Sequence, residues 1–159
     1  MVATPIVDVV ARKSRRVFEE LQFGGADLII AVPQAWADVD TLDDLDAAAA
    51  AFRAHHGFRL RIATKYHRLV RNFLKGAGVA DYALVDSQGA TEGTVKNQTA
   101  EAIADITSSG DTLRANHLKV LSDGLVLKSQ ATLFAVKDSE LDQDTKSVLQ
   151  SILSKLAVN

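Results

Sequence analysis

The sequence has no cysteine, which excludes disulfides and thiolate metal sites. It has no apolar run approaching the ~20 residues needed to span a bilayer. Met1 to Val10 lacks the charged start and long apolar core of a signal peptide, so a cytoplasmic location is expected. A basic excess is missing too, and the net charge of −2 argues against general nucleic-acid binding. The four histidines form no ligand pattern. His55 and His56 are adjacent and would point about 100° apart on a helix. Neither His67 nor His117 stands beside an acid at a familiar metal-site spacing. No Ser/His/Asp order or GxSxG elbow is present, so a metal-dependent or hydrolytic enzyme is disfavoured. There is no internal repeat and no low-complexity linker. What is present is ordinary globular sequence: 159 residues, 47% hydrophobic and 24% charged, enough for one compact domain or two small lobes.

Ile6, Val9, Val10, Val17 and Leu21 recur at near-helical spacing among Arg12, Lys13, Arg15 and Arg16. This predicts an amphipathic helix ending before Gly24-Gly25, with the basic run on its solvated face. Asp27 to Pro33 is a continuous apolar run, the pattern of a strand covered on both faces, ended by Pro33. Trp36, the only tryptophan, reads as a packing residue near a crossing between lobes. Thr41 can cap a helix from Leu42 to His55, with Asp43, Asp44 and Asp46 near its positive end. Arg59 to Thr64 reads as a strand, and Lys65 to Lys75 as a helix with Leu69, Val70, Phe73 and Leu74 inward. Arg71 and Lys75 follow Arg68 by three and seven residues, which groups the three on one outer face. A solvated face accounts for them; alternatively Lys65, at the strand-to-helix turn, helps attract a polyphosphate. Tyr82 to Asp86 is a further strand, followed by the turn-rich loop Ser87 to Gly93, which carries Glu92. Leu125 to Val136 predicts one long strand. Ser139 to Leu156 predicts a final helix with Val148, Ile152, Leu153 and Leu156 inward. The alternation of strands and helices predicts an α/β fold with a parallel sheet and ligands at the carboxyl ends of its strands.

Ala100 to Leu118 carries the strongest chemical signal. Ala102, Ile103, Ala104 and Ile106 fit a buried strand, with Asp105 at its end. Thr107, Ser108, Ser109 and Gly110 follow, and Asp111 or Thr112 starts a helical stretch through Leu113. Strand, hydroxyl/Gly loop and helix start together can cradle a phosphate, because the first helical N–H groups lack internal partners. Gly110 can take positive φ and let successive N–H groups converge on one anion. Each charge-assisted bond there would contribute roughly 1.5–3 kcal/mol where water is excluded. The same residues also suit a plain turn with Asp111 or Thr112 as N-cap. Asp105 tips the balance: a carboxylate closing an apolar strand is expensive to bury unpartnered. It is well placed to bind hydroxyls of a sugar whose phosphate lies in the loop.

The wording of this stretch, AEAIADITSSGDTLRANHLKVLSDGLVLKSQATLF (Ala100 to Phe134), resembles the phosphoribosyl-diphosphate signature of the ATP phosphoribosyltransferase family. FGGADLIIAVPQAW (Phe23 to Trp36), RLRIATKYHRLVRNFL (Arg59 to Leu74) and LVDSQGATEG (Leu84 to Gly93) resemble further stretches of that family, in the family's order. The resemblance runs from about residue 17 to about residue 136. It implies the first step of histidine biosynthesis, in which N1 of ATP displaces the diphosphate of phosphoribosyl diphosphate, with Mg²⁺ holding the diphosphate. It makes Thr107, Ser108, Ser109, Gly110, Asp111, Thr112 and Leu113 the phosphoribosyl-diphosphate-binding residues, with the 5′-phosphate on Ser108 to Leu113. Asp105 and Glu92 become the catalytic carboxylates, and no residue of the chain is implied as a metal ligand.

The resemblance also implies a bilobal, periplasmic-binding-protein-like architecture with the first lobe truncated. Residues 1–38 would be part of the first lobe, 39–120 an inserted second lobe, and 121–159 the return to the first lobe with a C-terminal helix. The family's opening strand and its Lys-Gly-Arg-type loop, which helps bind ATP, have no counterpart here, and no long C-terminal regulatory domain follows. The expectation is therefore the short form of the enzyme, which works with a separate regulatory subunit, with the phosphoribosyl half of the site present and the ATP half incomplete. Exposed sheet edges would favour a homo-oligomer. The competing reading is a non-catalytic module of the same fold that holds a sugar phosphate or nucleotide without turning it over.

Overall fold

The apolar run after Gly25 becomes the strand on which most of the described chain is built. The computed structural model describes residues 15–20, 25–87, 91–130, 132–136 and 142–156. In chain order the elements are β1 (Arg15–Glu20), β2 (Ala26–Pro33), α1 (Leu42–His56), β3 (Leu60–Thr64), α2 (His67–Gly76) and β4 (Tyr82–Asp86). They continue with α3 (Gly93–Lys96), β5 (Ala102–Thr107), α4 (Asp111–Ala115), β6 (Leu118–Ser129), β7 (Thr132–Val136) and α5 (Gln143–Leu156). The chain divides into two units, one spanning Ala26–Lys128 and the other formed by the flanking segments. No helix among the described residues is long and apolar enough to cross a membrane.

The larger unit holds a five-stranded sheet in the order β4-β3-β5-β2-β6. β3 runs parallel to both β4 and β5, as expected of an α/β fold. β2, however, pairs antiparallel with β5, Asp27 facing Thr107, so the sheet is mixed. The connector after Pro33 explains the reversal. It runs along β6, with Gln34 N–H donating to the His117 carbonyl, Ser122 N–H to the Asp40 carbonyl and Leu42 N–H to the Asp123 carboxylate. Helix α1 therefore starts partway along the sheet and returns the chain to the end where β2 stopped. β3 begins there and must run the other way.

Both faces of the sheet are covered, which is why β2 lacks apolar/polar alternation. On one face Leu28, Ile30 and Val32 pack with Leu45 and Ala49 of α1 and Val70 and Leu74 of α2. Trp36, Leu69 and Phe73 are partly buried against that cluster. On the other face Ile29 and Ala31 pack with Ile103, Leu113 and Leu118. Truncating any of the fully buried Ile30, Ile62 or Ile103 to alanine would cost about 2–5 kcal/mol. Helix α1 starts as its sequence indicates. Thr41 Oγ1 accepts from Asp44 N–H at 3.2 Å, and Asp44 Oδ2 accepts from Thr41 N–H at 2.8 Å, a complete capping box. Gly57 ends the helix at φ 78°, in the left-handed region. The unit's ends are Ala26 and Lys128, because β2 and β6 are both members of its sheet. A Cβ built on Gly25 would lie 4.0 Å from the Ser129 carbonyl oxygen, so the chain enters and leaves this unit side by side.

The flanking unit departs from the sequence reading in three places. Residues 15–20 form a strand rather than part of a helix, because β1 pairs antiparallel with β7, Arg15 facing Val136; residues 6–14 and 21 lie outside the described residues. The long strand expected from Leu125 to Val136 is two strands: β6 starts earlier, at Leu118, and belongs to the five-stranded sheet, whereas β7 belongs with β1. In α5, Val148 and Ile152 are 59% and 44% exposed rather than inward. Asp142 serves its first turn, its Oδ1 accepting from Thr145 N–H at 2.7 Å; Ser139 and the side chains of Leu153 and Leu156 lie outside the described residues.

Candidate functional site

β5 is the strand at which the sheet's direction changes, flanked by β3 on one side and β2 on the other. Its first half is sealed, with Ala102, Ile103 and Ala104 fully buried. Its second half emerges: Asp105 is half-buried, and Ile106, read from the sequence as part of the buried run, is 45% exposed. Alternation along the strand puts Asp105 and Thr107 on the same face as Ile103. That face also carries α3 and α4. Asp105 Oδ1 accepts from the N–H of Ile106 at 2.8 Å.

The loop that follows is organised by its own hydroxyls. Thr107 Oγ1 accepts from Gly110 N–H at 3.0 Å, and Ser109 Oγ accepts from Asp111 N–H at 3.3 Å. The Ser109 hydroxyl in turn donates to Asp111 Oδ2 at 2.6 Å. Gly110, not Asp111 or Thr112, is the N-cap residue of α4, and its φ of 75° is the left-handed conformation that favours glycine. The Ser109 hydroxyl, and after it the Arg114 guanidinium, hold the Asp111 carboxyl below the usual carboxylate range. The amides of Thr112 and Leu113 have no acceptor among the described residues. With only five residues, α4 supplies these amides rather than a long macrodipole.

These residues meet around one cavity of about 300 Å³, lined by Glu92, Ile103, Asp105, Ile106, Thr107, Ser108, Ser109, Gly110, Thr112 and Leu113. Glu92 arrives from a different element, the residue before α3, and is half-buried. Of the nine residues singled out in the sequence, Asp105, Glu92, Thr107, Ser108, Ser109, Gly110, Thr112 and Leu113 line the cavity together; Asp111 does not, being turned to Ser109 and Arg114. A space of this size, rimmed by two carboxylates, three hydroxyl side chains besides Thr107, and free helix amides, can hold a phosphorylated polyol. The amides and hydroxyls would take its anionic end and the carboxylates its hydroxyls.

Sequence reasoning missed three neighbours. Arg114 lies over the loop: a Cβ on Gly110 would meet its Nη1 at 3.1 Å, and its guanidinium pairs with Asp111. Tyr66 lies within range of Asp105; burial, and after it the Asp105 charge, push the phenol above its ordinary value. His67 Nε2 sits 2.6 Å from Asp86 Oδ1, an acid–histidine contact formed across β3 and β4. The signal for this last contact was present, since parallel pairing of neighbouring strands sets Thr64 opposite Asp86 and so brings the residues just after each strand together. Lys65 is exposed beside them.

The family model described as HisG: ATP phosphoribosyltransferase matches residues 6–158. The chain belongs to the ATP phosphoribosyltransferase family. It is 81% identical over 120 residues to an ATP phosphoribosyltransferase of Cereibacter sphaeroides, covering 76% of this chain and 51% of that protein. An ATP phosphoribosyltransferase of Rhodopseudomonas palustris (strain BisA53) is 46% identical over 157 residues, covering 99% of this chain and 48% of that protein. The chain thus spans about half the length of the curated relatives it matches. Among solved structures, the ATP phosphoribosyl transferase (HisG:HisZ) complex from Thermotoga maritima aligns with TM-score 0.61 at 20% identity, over 94% of this chain and 64% of that one. The P235GK mutant of ArgBP from T. maritima aligns with TM-score 0.56 at 16% identity, over 99% of this chain and 60% of that one. These two show the fold: α/β, of the ATP phosphoribosyltransferase and solute-binding-protein kind.

Proposed function

We propose that this chain carries the phosphoribosyl-diphosphate half of an ATP phosphoribosyltransferase and acts in the first step of histidine biosynthesis as a soluble, cytoplasmic transferase. The observation that carries the reading is the convergence of Asp105, Glu92 and the loop from Thr107 to Leu113 on one cavity. The 5′-phosphate would lie against the Thr112 and Leu113 amides and the Ser108, Ser109 and Thr112 hydroxyls. Asp105 and Glu92 would hold ribose hydroxyls. In the reaction, N1 of the adenine of ATP forms a bond to the anomeric carbon while the bond from that carbon to the diphosphate oxygen breaks and diphosphate leaves. Positive charge develops on the sugar as the leaving group departs, and two carboxylates at the rim stabilise it. Positioning and electrostatics supply the rate, with little need for a strong base.

Among the described residues there is no group of three or more potential metal-ligating side chains. In this reading Mg²⁺ arrives on the diphosphate, whose oxygens would supply its ligands; when bound it would neutralise charge on the departing group. In the two-lobed reading, residues 39–120 belong to the inserted lobe, residues 1–38 and 121–159 belong to the first lobe, and a homo-oligomer and a separate regulatory subunit complete the enzyme.

Calorimetry with phosphoribosyl diphosphate tests the site. Asp105→Ala and Gly110→Val should each weaken binding about tenfold or more, the loss of one charge-assisted contact. Unchanged binding in both variants removes the site. Mixing the protein with ATP, phosphoribosyl diphosphate and Mg²⁺ should raise the ultraviolet absorbance as N1-phosphoribosyl-ATP forms. Binding without that rise assigns the chain instead to a module that holds the sugar phosphate without turning it over.

A further inference from the structure

A second cavity, of about 360 Å³, lies at the opposite end of the parallel strands and shares no residue with the first. Arg59 reaches it from just before β3, Arg71 and Lys75 from α2, Val79 and Ala80 from the turn after that helix, and Tyr82 to Leu84 from β4. The residues lining it include three cations and no acid. None of the three cations pairs with a described residue, although other cations of this unit are neutralised: Arg53 by Asp81, Arg61 by Glu101, Lys119 by Asp40. The nearest acids in sequence are committed elsewhere, Asp81 to Arg53 and Asp46 to the N–H of Ala80 at 2.8 Å.

Arg71 and Lys75 are four residues apart on one helix face, a like-charge spacing that is unfavourable by itself. Arg59 adds a third charge from a different element, so the cluster cannot be put down to one helix's solvated face. The rest of the lining is the edge strand. β4 pairs only with β3 in the sheet. Leu60 N–H donates to the Asp81 carbonyl and Ser87 N–H to the Thr64 carbonyl. By the alternation of a parallel ladder, the amide of Leu84 therefore points away from the sheet. Half-buried Tyr82 and Leu84 and buried Val79 supply apolar wall beside the charges.

From this convergence of Arg59, Arg71 and Lys75 on a cavity at an open strand edge, we propose a second ligand site that takes a polyphosphate anion, the class that includes the phosphate tail of a nucleotide. Guanidinium groups bind phosphate oxygens through paired N–H donors, and the ammonium of Lys75 adds a point charge. The volume falls in the range of small-molecule sites, which favours a phosphorylated metabolite.

The experiment is calorimetry of the full chain with inorganic tripolyphosphate at fixed ionic strength, in a Gly110→Val background that weakens the first cavity. The expected result is one binding site, weakened about tenfold or more in Arg71→Gln/Lys75→Gln and in Arg59→Gln. Arg68→Gln, on the same helix but outside the cavity, should bind as the background does. Circular dichroism of each variant verifies the fold, which surface substitutions at exposed positions should leave intact. Equal weakening by Arg68→Gln would mean that only overall charge is being read, and the site would be rejected. Undiminished binding in Arg71→Gln/Lys75→Gln would reject it too. The phosphoribosyl-diphosphate reading stands or falls on its own titration, since that ligand is tested against Asp105 and Gly110 in the parent chain.

Discussion

Gly110→Ala separates the two things that this residue does. Its φ of 75° is the left-handed conformation, which costs an L-residue about 1–2 kcal/mol. The added Cβ would also meet Arg114 Nη1 at 3.1 Å, and a flexible guanidinium can move aside at little cost. Displacing it loosens the Arg114–Asp111 pair, whose side chains are 63% and 75% exposed, so that contact adds little to stability. The left-handed strain predicts about 1–2 kcal/mol off the unfolding free energy, or a local shift of the loop that avoids the strain. The loop shift displaces the Thr112 and Leu113 amides and should weaken phosphoribosyl diphosphate about tenfold or more. Gly57 provides the reference. It has φ 78°, with nothing within 4 Å of a built Cβ, and it caps α1 far from the cavity in sequence. Gly57→Ala should lose about 1–2 kcal/mol and bind as the parent does. Urea unfolding read by circular dichroism, paired with calorimetry, measures both quantities. If Gly110→Ala unfolds and binds like the parent, or if Gly57→Ala loses affinity to the same degree, the reasoning that ties loop geometry to anion binding is wrong.

Three further outcomes are expected. Asp44 is held below the usual carboxylate range by the Thr41 hydroxyl first and then by the Asp40 and Thr41 amides. Its folded-state pKa is depressed, so its contribution is present above the ordinary carboxylate value and is lost as pH falls through the folded one. Thermal melts should therefore show parent and Asp44→Asn converging at low pH, and a constant gap across pH would contradict the capping box. Glu101 accepts from Arg61 N–H at 2.7 Å and Arg61 Nε at 3.1 Å with its side chain 13% exposed. Glu101→Ala should cost about 2–3 kcal/mol, whereas a loss under about 0.5 kcal/mol in denaturant unfolding would class the pair with ordinary surface ion pairs. Because Asp105 helps raise Tyr66, ultraviolet titration in a Tyr82→Phe background should show the Tyr66 phenol ionising at lower pH in Asp105→Asn; no change would place the two side chains out of electrostatic reach.

What could be read directly from sequence was what local chemistry decides. The strand at Asp27 to Pro33 declares itself by an apolar run, and α1 by Thr41 and Asp44. The loop at Thr107 to Leu113 declares itself by its hydroxyls and glycine. Glu92 is different: the residues around it mark only a turn-rich loop, and the family resemblance alone singles it out. What failed was decided across long separations. Residues 15–20 lie within a stretch, Ile6 to Leu21, whose apolar residues recur at near-helical spacing, yet their conformation is set by β7, more than a hundred positions later. No proline or glycine marks the break between β6 and β7, so the pattern alone could not divide them. The reversal of β2 against β5 depends on a connector that follows β6, a partner not yet met in reading the chain forward. His67 with Asp86, Tyr66 with Asp105, and Arg59 with Arg71 and Lys75 are likewise products of strand order rather than of spacing.

The neighbouring positions of Gly25 and Ser129 have an evolutionary side. A body of about a hundred residues whose two ends emerge next to each other needs only one junction in a host polypeptide. It can be transplanted, or acquired, without rethreading the sheet that receives it, because it carries its own strands, both of its buried faces and the loop from Thr107 to Leu113 as cargo.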